Sequence, residues 1–414
     1  MKLDDIMIHD TSMQCRFARM LVTVSLAVSA VLSILLLFSD LVWLLFLFAL
    51  AFLTAYGLLA IKKQIGGKLI CRLMLVTAVV VFIFVIPELI LRLVDFSYQG
   101  SLHYQSGEKF ATLRPETRSL FVPDDRLYWK LPSSQPNVNS YGFPDHEIAV
   151  PKPPRSYRII YLGDSVTQLG YPRFAEQLLN RLLGRDDIKI ESVIMAVAGY
   201  SSYQGRVMAD MYAEKFDPDL AVVLFGWNDH WLACNAIDSE AGGGRFNWLI
   251  RKVYLHSRLI QLAGRLAEPL MSDRKSRIID RTRVPIDEYT ANLDAIAMRC
   301  EKSAVPVLLV TSPTSHYRLT VPDYLMRDRY AYSRDSVIML HKRYNKSVRE
   351  VAENRDLYLL DLERILDTRK DIGELFSADG IHPNRRGIEL IAEIIGQYIY
   401  QHILPDSLIS GEGD

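Results

Sequence analysis

The sequence predicts an α/β protein: a three-layer α/β/α sandwich on a five-stranded parallel sheet, preceded by three transmembrane helices. Two patterns carry that expectation. Long apolar runs fill the first 95 residues, and from Arg158 to His402 short apolar runs alternate with stretches of helical spacing, the pattern of a parallel sheet covered by helices on both faces. Composition agrees with such a division. Half of the 414 residues are apolar while 23% are charged, so the apolar content must be concentrated, and it is concentrated at the front. Lys+Arg and Asp+Glu are equal at 48 each, and nothing in a net charge of zero suggests a chain held to nucleic acid by phosphate neutralisation. No nucleic-acid partner is expected.

The membrane segments come first. Met20–Phe38 is uncharged over about the 20 residues a helix needs to cross a bilayer. Leu41–Ile61 follows at once, and Leu73–Val94 follows a short basic loop. A cleaved signal peptide is the rival for the first run, but its apolar core is too long and a second run starts almost immediately. Lys62, Lys63, Lys68 and Arg72 lie between the second and third runs, and Lys2, Arg16 and Arg19 precede the first. The positive-inside rule therefore places the N-terminus in the cytoplasm and everything after Val94 outside it. Residues 1–95 are read as a multi-pass anchor in the cell membrane, with lipid as its partner. Glu88 and Arg92, one turn apart, read as a structural pair near the interface, where Arg92 can snorkel.

Residues 96–156 are polar and proline-rich, yet Phe121, Leu127, Tyr128, Trp129, Tyr141 and Phe143 are too aromatic for a pure linker. They are expected to pack on the domain that follows. That domain, residues 157–404, offers strands at Arg158–Leu162, Ile188–Val197, Leu220–Phe225, Val305–Val310 and Leu357–Leu362. Helices are expected at Phe174–Leu183, Gly205–Phe216, Ile286–Cys300, Ser336–Asn354 and Asn384–His402. An insertion, roughly His230 to Pro285, carries a glycine run and an amphipathic stretch from Trp248 to Leu266, readable as a lid or as a surface helical hairpin. Residues 405–414 are a tail. Cys15, Cys71, Cys234 and Cys300 follow no metal-ligand spacing and are too sparse for a disulfide framework, so neither metal nor cofactor is expected.

Open parallel sheets place their sites beyond the carboxyl ends of the strands. Four such ends offer polar groups here: Gly163-Asp164-Ser165, Ala198-Gly199-Tyr200, Gly226-Trp227-Asn228-Asp229, and the loop Asp379-Gly380-Ile381-His382 before the last helix. They fit acyl transfer by a serine. Ser165 needs a base, which His382 can supply near neutral pH, and Asp379 can hold the imidazole from three residues away. Oxyanion donors are at hand in the N–H groups of Ser165 and Gly199 and the Asn228 amide. Asp164 and Asp229 read as structural hydrogen-bonding residues. His230 could touch substrate or cap a helix, while His256, His316 and His341 show no partner in sequence and read as surface. Trp227 and Tyr200 divide evenly between pocket lining and core.

These blocks resemble the GDSL-type, or SGNH, hydrolases, whose four motifs are GDS, a glycine after the second strand, GxND and DxxH. They stand in family order within Arg158–His402. The resemblance implies a flavodoxin-like sheet, Ser165 as nucleophile, Gly199 and Asn228 as oxyanion donors, and Asp379 with His382 as the remaining dyad. Many members carry Asn five residues before the second-block glycine, where this chain has Ile194. An α/β-hydrolase nucleophile elbow is excluded because Thr167 occupies its second glycine position.

The function expected is that of a membrane-anchored serine esterase acting through an acyl-enzyme on acyl, above all acetyl, esters of extracytoplasmic glycans. Its partners would be an acylated carbohydrate or other ester substrate. Three alternatives stay open: an O-acyltransferase fed by a membrane acyl-donor partner, a non-catalytic glycan-binding or assembly module, and a lipid esterase.

Overall fold

The computed structural model describes residues 83, 86–96, 121–124, 126–234, 236–241, 256–271 and 278–410. Two compact units divide the chain, one drawn from residues 1–102 and 245–273, the other from 103–244 and 274–414. The first two apolar segments and most of the third lie outside the described residues, as do Trp248–Leu255 of the insertion. Among the described residues no helix is long and apolar enough to cross a membrane.

The larger unit carries the expected sheet. Its strands are β1 (Ser156–Gly163), β2 (Lys189–Ala196), β3 (Leu220–Leu224), β4 (Val307–Val310) and β5 (Tyr358–Leu360). They lie in the order β2-β1-β3-β4-β5, every neighbouring pair parallel. Ile159, Ile160, Tyr161 and Leu162 of β1 are all fully buried, as a central strand must be when helices cover both faces. On one face Tyr157, Ile159 and Tyr161 join a core with Ala175, Leu179 and Leu183 of α1 (Tyr171–Leu183) and with Ile391, Ile395 and Ile399 of the last long helix. On the other, α3 (Ile286–Glu301) packs between α2 (Ser202–Tyr212) and α4 (Arg334–Arg355). The last long helix, α5 (Arg385–His402), starts after Pro383, with Asn384 Oδ1 accepting from Gly387 N–H at 3.2 Å as its cap. That cap fixes where the chain leaves the DxxH loop.

Since every strand runs the same way, the loops after β1, β2, β3 and β4 and the loop before α5 gather at one edge. Two short antiparallel pairs join this frame, Val122–Asp124 with Tyr128–Lys130 and Leu232–Cys234 with Ile278–Thr282. Neither stands out in the sequence, because three to five residues are too few to show a period of two.

Strand β2 is an edge, and an open edge of unpaired amides invites pairing with other chains. Its outward amides are taken instead by side chains: Ile190 N–H donates to Asn180 Oδ1 at 2.9 Å, Ser192 N–H to Glu176 Oε2 at 2.7 Å, and Ile194 N–H to Asp145 Oδ2 at 2.9 Å. Asn180 and Glu176 come from α1, whereas Asp145 comes from the segment before β1 and also pairs with Arg173. Thus the aromatic, proline-rich extension stitches itself to the sheet edge. Asp145 is buried, so Asp145→Ala would leave the Ile194 amide and Arg173 without that partner. We expect it to lower stability by about 1–3 kcal/mol, read as a shift of the denaturation midpoint with an unchanged slope.

Candidate active site

Ser165 opens a single helical turn, Ser165–Gln168, whose N-cap is Asp164: the Asp164 carboxylate accepts from Val166 N–H at 2.9 Å. The turn points the serine hydroxyl over the carboxyl edge of β1. There Ser165 Oγ lies 2.8 Å from His382 Nε2, and His382 Nδ1 lies 2.6 Å from Asp379 Oδ2. The other Asp379 oxygen accepts from the backbone N–H groups of Ile381 and His382, each at 2.9 Å. Burial alone would raise the Asp379 carboxyl, but the hydrogen bonds from His382 and these amides outweigh it and hold the pKa below 3.8. An ionised Asp379 can only accept. Nδ1 of His382 therefore carries a proton, and its Nε2 is free to accept the serine's. Burial also opposes the cationic form of His382, yet the Asp379 hydrogen bond and the charges of Asp379 and Asp164 win, raising it above 6.5.

The loop carrying Asp379 and His382 is itself held. Gly380 adopts φ +71°, and a Cβ there would come within 2.5 Å of the His316 ring, so only glycine fits. The segment after β4 grips this loop by its carbonyls: His316 Nε2–H donates to Asp379 O at 2.7 Å, and Ser315 N–H and Thr314 Oγ1 to Gly380 O at 3.1 and 3.2 Å. Asn228, at the end of β3, donates from Nδ2 to Tyr200 O at 3.0 Å and to Asp164 Oδ2 at 3.3 Å. It therefore sits beside both the serine turn and the loop after β2. Among the described residues no group of three or more His, Cys, Asp or Glu side chains is placed to hold a metal ion.

Family models were compared with the chain, and the GDSL-like lipase/acylhydrolase family matches residues 161–390, more than half of its length. The chain belongs to this family. It is accordingly a serine hydrolase acting on ester bonds. Among solved structures, a lipase/acylhydrolase from Enterococcus faecalis is 17% identical with a TM-score of 0.40, covering 60% of this chain and 98% of that one. An acetyl-xylooligosaccharide esterase from Geobacillus Stearmophilus, in mutant form, is 16% identical with a TM-score of 0.38, covering 59% and 94% respectively. A comparison with curated proteins found no match.

All five candidate residues of the GDSL-type domain, Ser165, Gly199, Asn228, Asp379 and His382, lie at the carboxyl edge of the sheet. Gly199 has φ +85°, a left-handed conformation that favours glycine. Its peptide is held on both sides by residues that no motif reveals. Trp129 Nε1–H donates to the Ala198 carbonyl at 3.0 Å, the carbonyl of the same peptide that carries Gly199 N–H. Arg283 Nη1 donates to the Gly199 carbonyl at 2.9 Å, and its remaining nitrogens bind Asp238, Nη2 at 2.8 Å and Nε at 3.2 Å. Both members of that ion pair are buried. Asp238 also receives Ser201 Oγ–H at 2.7 Å, and its backbone carbonyl takes Tyr128 Oη–H at 2.6 Å. The proline-rich extension and the insertion thus meet beneath the glycine.

Several sequence expectations are corrected here. His316 and His341, read as surface, are buried at 3% and 1% exposure, because each bonds a carbonyl far away in sequence. His341 Nε2–H donates to Ser312 O at 2.9 Å, leaving Nδ1 to accept from His230 Nε2–H at 3.1 Å. Burial pushes His230 down to about 3, and lowers His341 and His316 as well, so all three are neutral. His230 is therefore a core residue rather than a substrate contact. Trp227 and Tyr200 also resolve as core, Trp227 stacking on His341 at 4.1 Å and donating to Pro313 O at 3.2 Å. Asp229 accepts from Ser202 N–H at 2.8 Å, and burial drives its carboxyl up to about 7. Cys300 is a buried free thiol, so it pairs with no other cysteine.

The raised His382 sets an acid limb. With His382 as general base its Nε2 must be unprotonated, so kcat/KM should fall as pH drops through a midpoint above the ordinary histidine value, and Asp379→Asn should move that midpoint down while lowering the rate. A wild-type midpoint well below the ordinary histidine value would show a different base. For the glycine frame, Trp129→Phe keeps the ring but deletes its N–H. We expect kcat to fall roughly five-fold, the rate equivalent of one hydrogen bond of about 1 kcal/mol, with KM unchanged.

Proposed function

We propose that the chain is a membrane-anchored esterase in which Ser165 is the nucleophile, His382 the general base and acid, and Asp379 the residue that holds and stabilises the imidazole. The single observation behind these roles is the continuous relay from Asp379 through His382 to Ser165, at 2.6 and 2.8 Å, within a domain of the esterase family. His382 takes the serine proton as Oγ attacks the ester carbonyl, then returns it to the leaving alcohol, giving an acyl-enzyme that water hydrolyses by the same route in reverse. The developing oxyanion meets the N–H groups of Ser165 and Gly199 and the Asn228 amide. Both acceptors of Asn228 Nδ2 are protein groups in the free enzyme, and the 3.3 Å bond to Asp164 is the longer. That N–H turns to the oxyanion at least cost.

The substrate we propose is a short acyl ester, acetyl above all, on a glycan outside the cytoplasm. Three apolar segments precede the domain with basic residues grouped on one side of them, which supports placing it on the far side of the membrane. The insertion mixes Trp248, Leu249, Ile250 and Leu255 with Arg245, Arg251, Lys252, Arg258 and Arg265, a pattern that suits a helix with one apolar face better than an open groove for a lipid tail.

Rates on p-nitrophenyl esters of rising chain length test this reading. Acetate should be fastest with a steep fall by octanoate, Ser165→Ala should abolish turnover, and added carbohydrate should leave water as the acceptor. A preference for long chains would make it a lipid esterase. Acyl transfer to the carbohydrate would make it a transferase, and turnover surviving Ser165→Ala would remove the serine mechanism.

A further inference from the structure

In the smaller unit two described helices each bury a polar side chain, Glu88 on the first and Gln261 on the second, while leaving several apolar ones exposed. The first, Ile86–Leu93, ends the third apolar segment; the second, Arg258–Met271, belongs to the insertion that interrupts the hydrolase sequence. Glu88 sits in the first helix and is 8% exposed. Its carboxylate is the N-terminal cap of the second: Arg258 N–H donates to Oε1 at 2.9 Å, and Leu259 N–H and Ser257 Oγ–H to Oε2 at 2.8 and 3.0 Å. Arg92 binds Glu88 Oε1 at 3.0 Å and reaches the His256 carbonyl at 2.5 Å. Four hydrogen bonds thus join the first helix to the start of the second, three of them at a carboxylate that interacts favourably with the positive end of a helix dipole. Gln261, also polar, is 2% exposed and accepts from Arg258 Nη1 at 3.1 Å.

Several of their apolar residues face the other way. Ile86, Ile90 and Leu93, spaced along one side of the first helix, are 39%, 53% and 82% exposed, and on the second helix Ile260 and Leu266 are 39% and 68% exposed. Ala263, between them on the same side, is exposed too. A pair of helices in water buries its leucines and leaves its glutamate and glutamine wet. The reverse arrangement is that of a protein surrounded by hydrocarbon, where ionisable and amide groups turn to the interior and pair. The continuity of the chain agrees, for Leu73–Pro87 is an uncharged run leading straight into this patch.

We infer that helix Arg258–Met271 is seated in the membrane interface beside the end of the third apolar segment, with Ile260, Ala263 and Leu266 against lipid acyl chains. At 14 residues it is about 21 Å long, too short to cross a hydrocarbon core of about 30 Å, so it lies in the surface rather than spanning it. Arg265, exposed on its polar flank, is placed to reach headgroups. The inference rests on the three-segment anchor reading and adds to it: the hydrolase sequence leaves its sheet, enters the bilayer surface and returns. The hydrolase domain is then joined to the membrane unit by three chain connections rather than one. Such a tether restricts the enzyme to esters presented close to the membrane.

Depth-dependent quenching in the full-length protein tests it. With Cys15, Cys71 and Cys234 replaced by Ser, Cys300 being buried, single bimane labels are placed through Ile90→Cys, Ile260→Cys, Leu266→Cys and, as a water-facing reference in α4, Met339→Cys. Each variant is confirmed active on p-nitrophenyl acetate and reconstituted in phosphatidylcholine nanodiscs with or without doxyl-labelled phosphatidylcholine. The labels at 90, 260 and 266 should lose emission to the doxyl lipid while that at 339 keeps it. Quenching at 90 with 260 and 266 behaving like 339 would overturn the interfacial helix and leave the anchor standing. No quenching at 90, 260 or 266 would overturn the anchor reading and the inference together.

Discussion

The contact at the centre of the proposed chemistry, Ser165 Oγ to His382 Nε2 at 2.8 Å, joins residues 217 positions apart. Neither side chain can hold that distance alone, since a serine and a histidine each have rotamers that break it. Each half is instead fixed through its backbone. Asp164 caps the serine turn, and the segment after β4 binds successive carbonyls of the DxxH loop through His316, Ser315 and Thr314. What looks in sequence like a triplet of side chains is, in the folded chain, a set of peptide groups pinned from outside. The parallel sheet makes this workable because all its loops emerge at one edge, where one loop can brace the next.

Ionisable groups near the site divide into two environments. Asp379 keeps its charge because its oxygens meet His382 and two amides, whereas burial raises Asp164 to about 6 and Asp229 to about 7 with fewer donors to compensate. Only the first is equipped to stabilise an imidazolium. Arg283 and Asp238 show a third solution: both are buried, and their attraction is supplemented by Gly199 O, Ser201 Oγ and the backbone. A buried ion pair gives little net stability once desolvation is counted. Its geometric effect at Gly199 is the more informative consequence, for it fixes a left-handed peptide that would otherwise be free to turn.

Much of this was legible in the sequence, and the boundary between what was and was not follows from range. Strands such as Arg158–Leu162, observed as Ser156–Gly163, and helices such as Ser336–Asn354, observed as Arg334–Arg355, declare themselves through apolar spacing within a few residues. The five candidate residues announced themselves because each lies in a short block, after a strand for Ser165, Gly199 and Asn228 and before the last long helix for Asp379 and His382. Trp129, Arg283 and His316 did not, since their bonds cross 69, 84 and 63 positions and each ends on a backbone carbonyl, a partner present at every residue. A side chain that reads a carbonyl leaves no trace in the identity of the residue it reads. His316 and His341 read as surface for that reason, and Ile194 reads as a departure from the family pattern that bears on loop packing rather than on the chemistry. In the structure the Ile194 side chain is buried and its amide is bound by Asp145, so the position serves the sheet edge.

The same reasoning bears on Glu88. A carboxylate near the end of an apolar segment reads as an anomaly when only its own helix is considered, and the pairing with Arg92 four residues on accounts for one charge but not for the burial of both oxygens. Helix Arg258–Met271 completes the account: two of the bonds to Glu88 come from its first turn and a third from Ser257 just before it. A glutamine could accept some of these bonds but would bring donors into a place already full of them, and it would lose the attraction to the helix dipole and to Arg92. The acid is therefore specified by a segment about 170 residues downstream, and the insertion that supplies the segment is tied to the apolar end of the chain as closely as Gly199 is tied to Arg283. In both places one polar side chain, buried with its charge satisfied, holds together pieces of sequence that no local pattern connects.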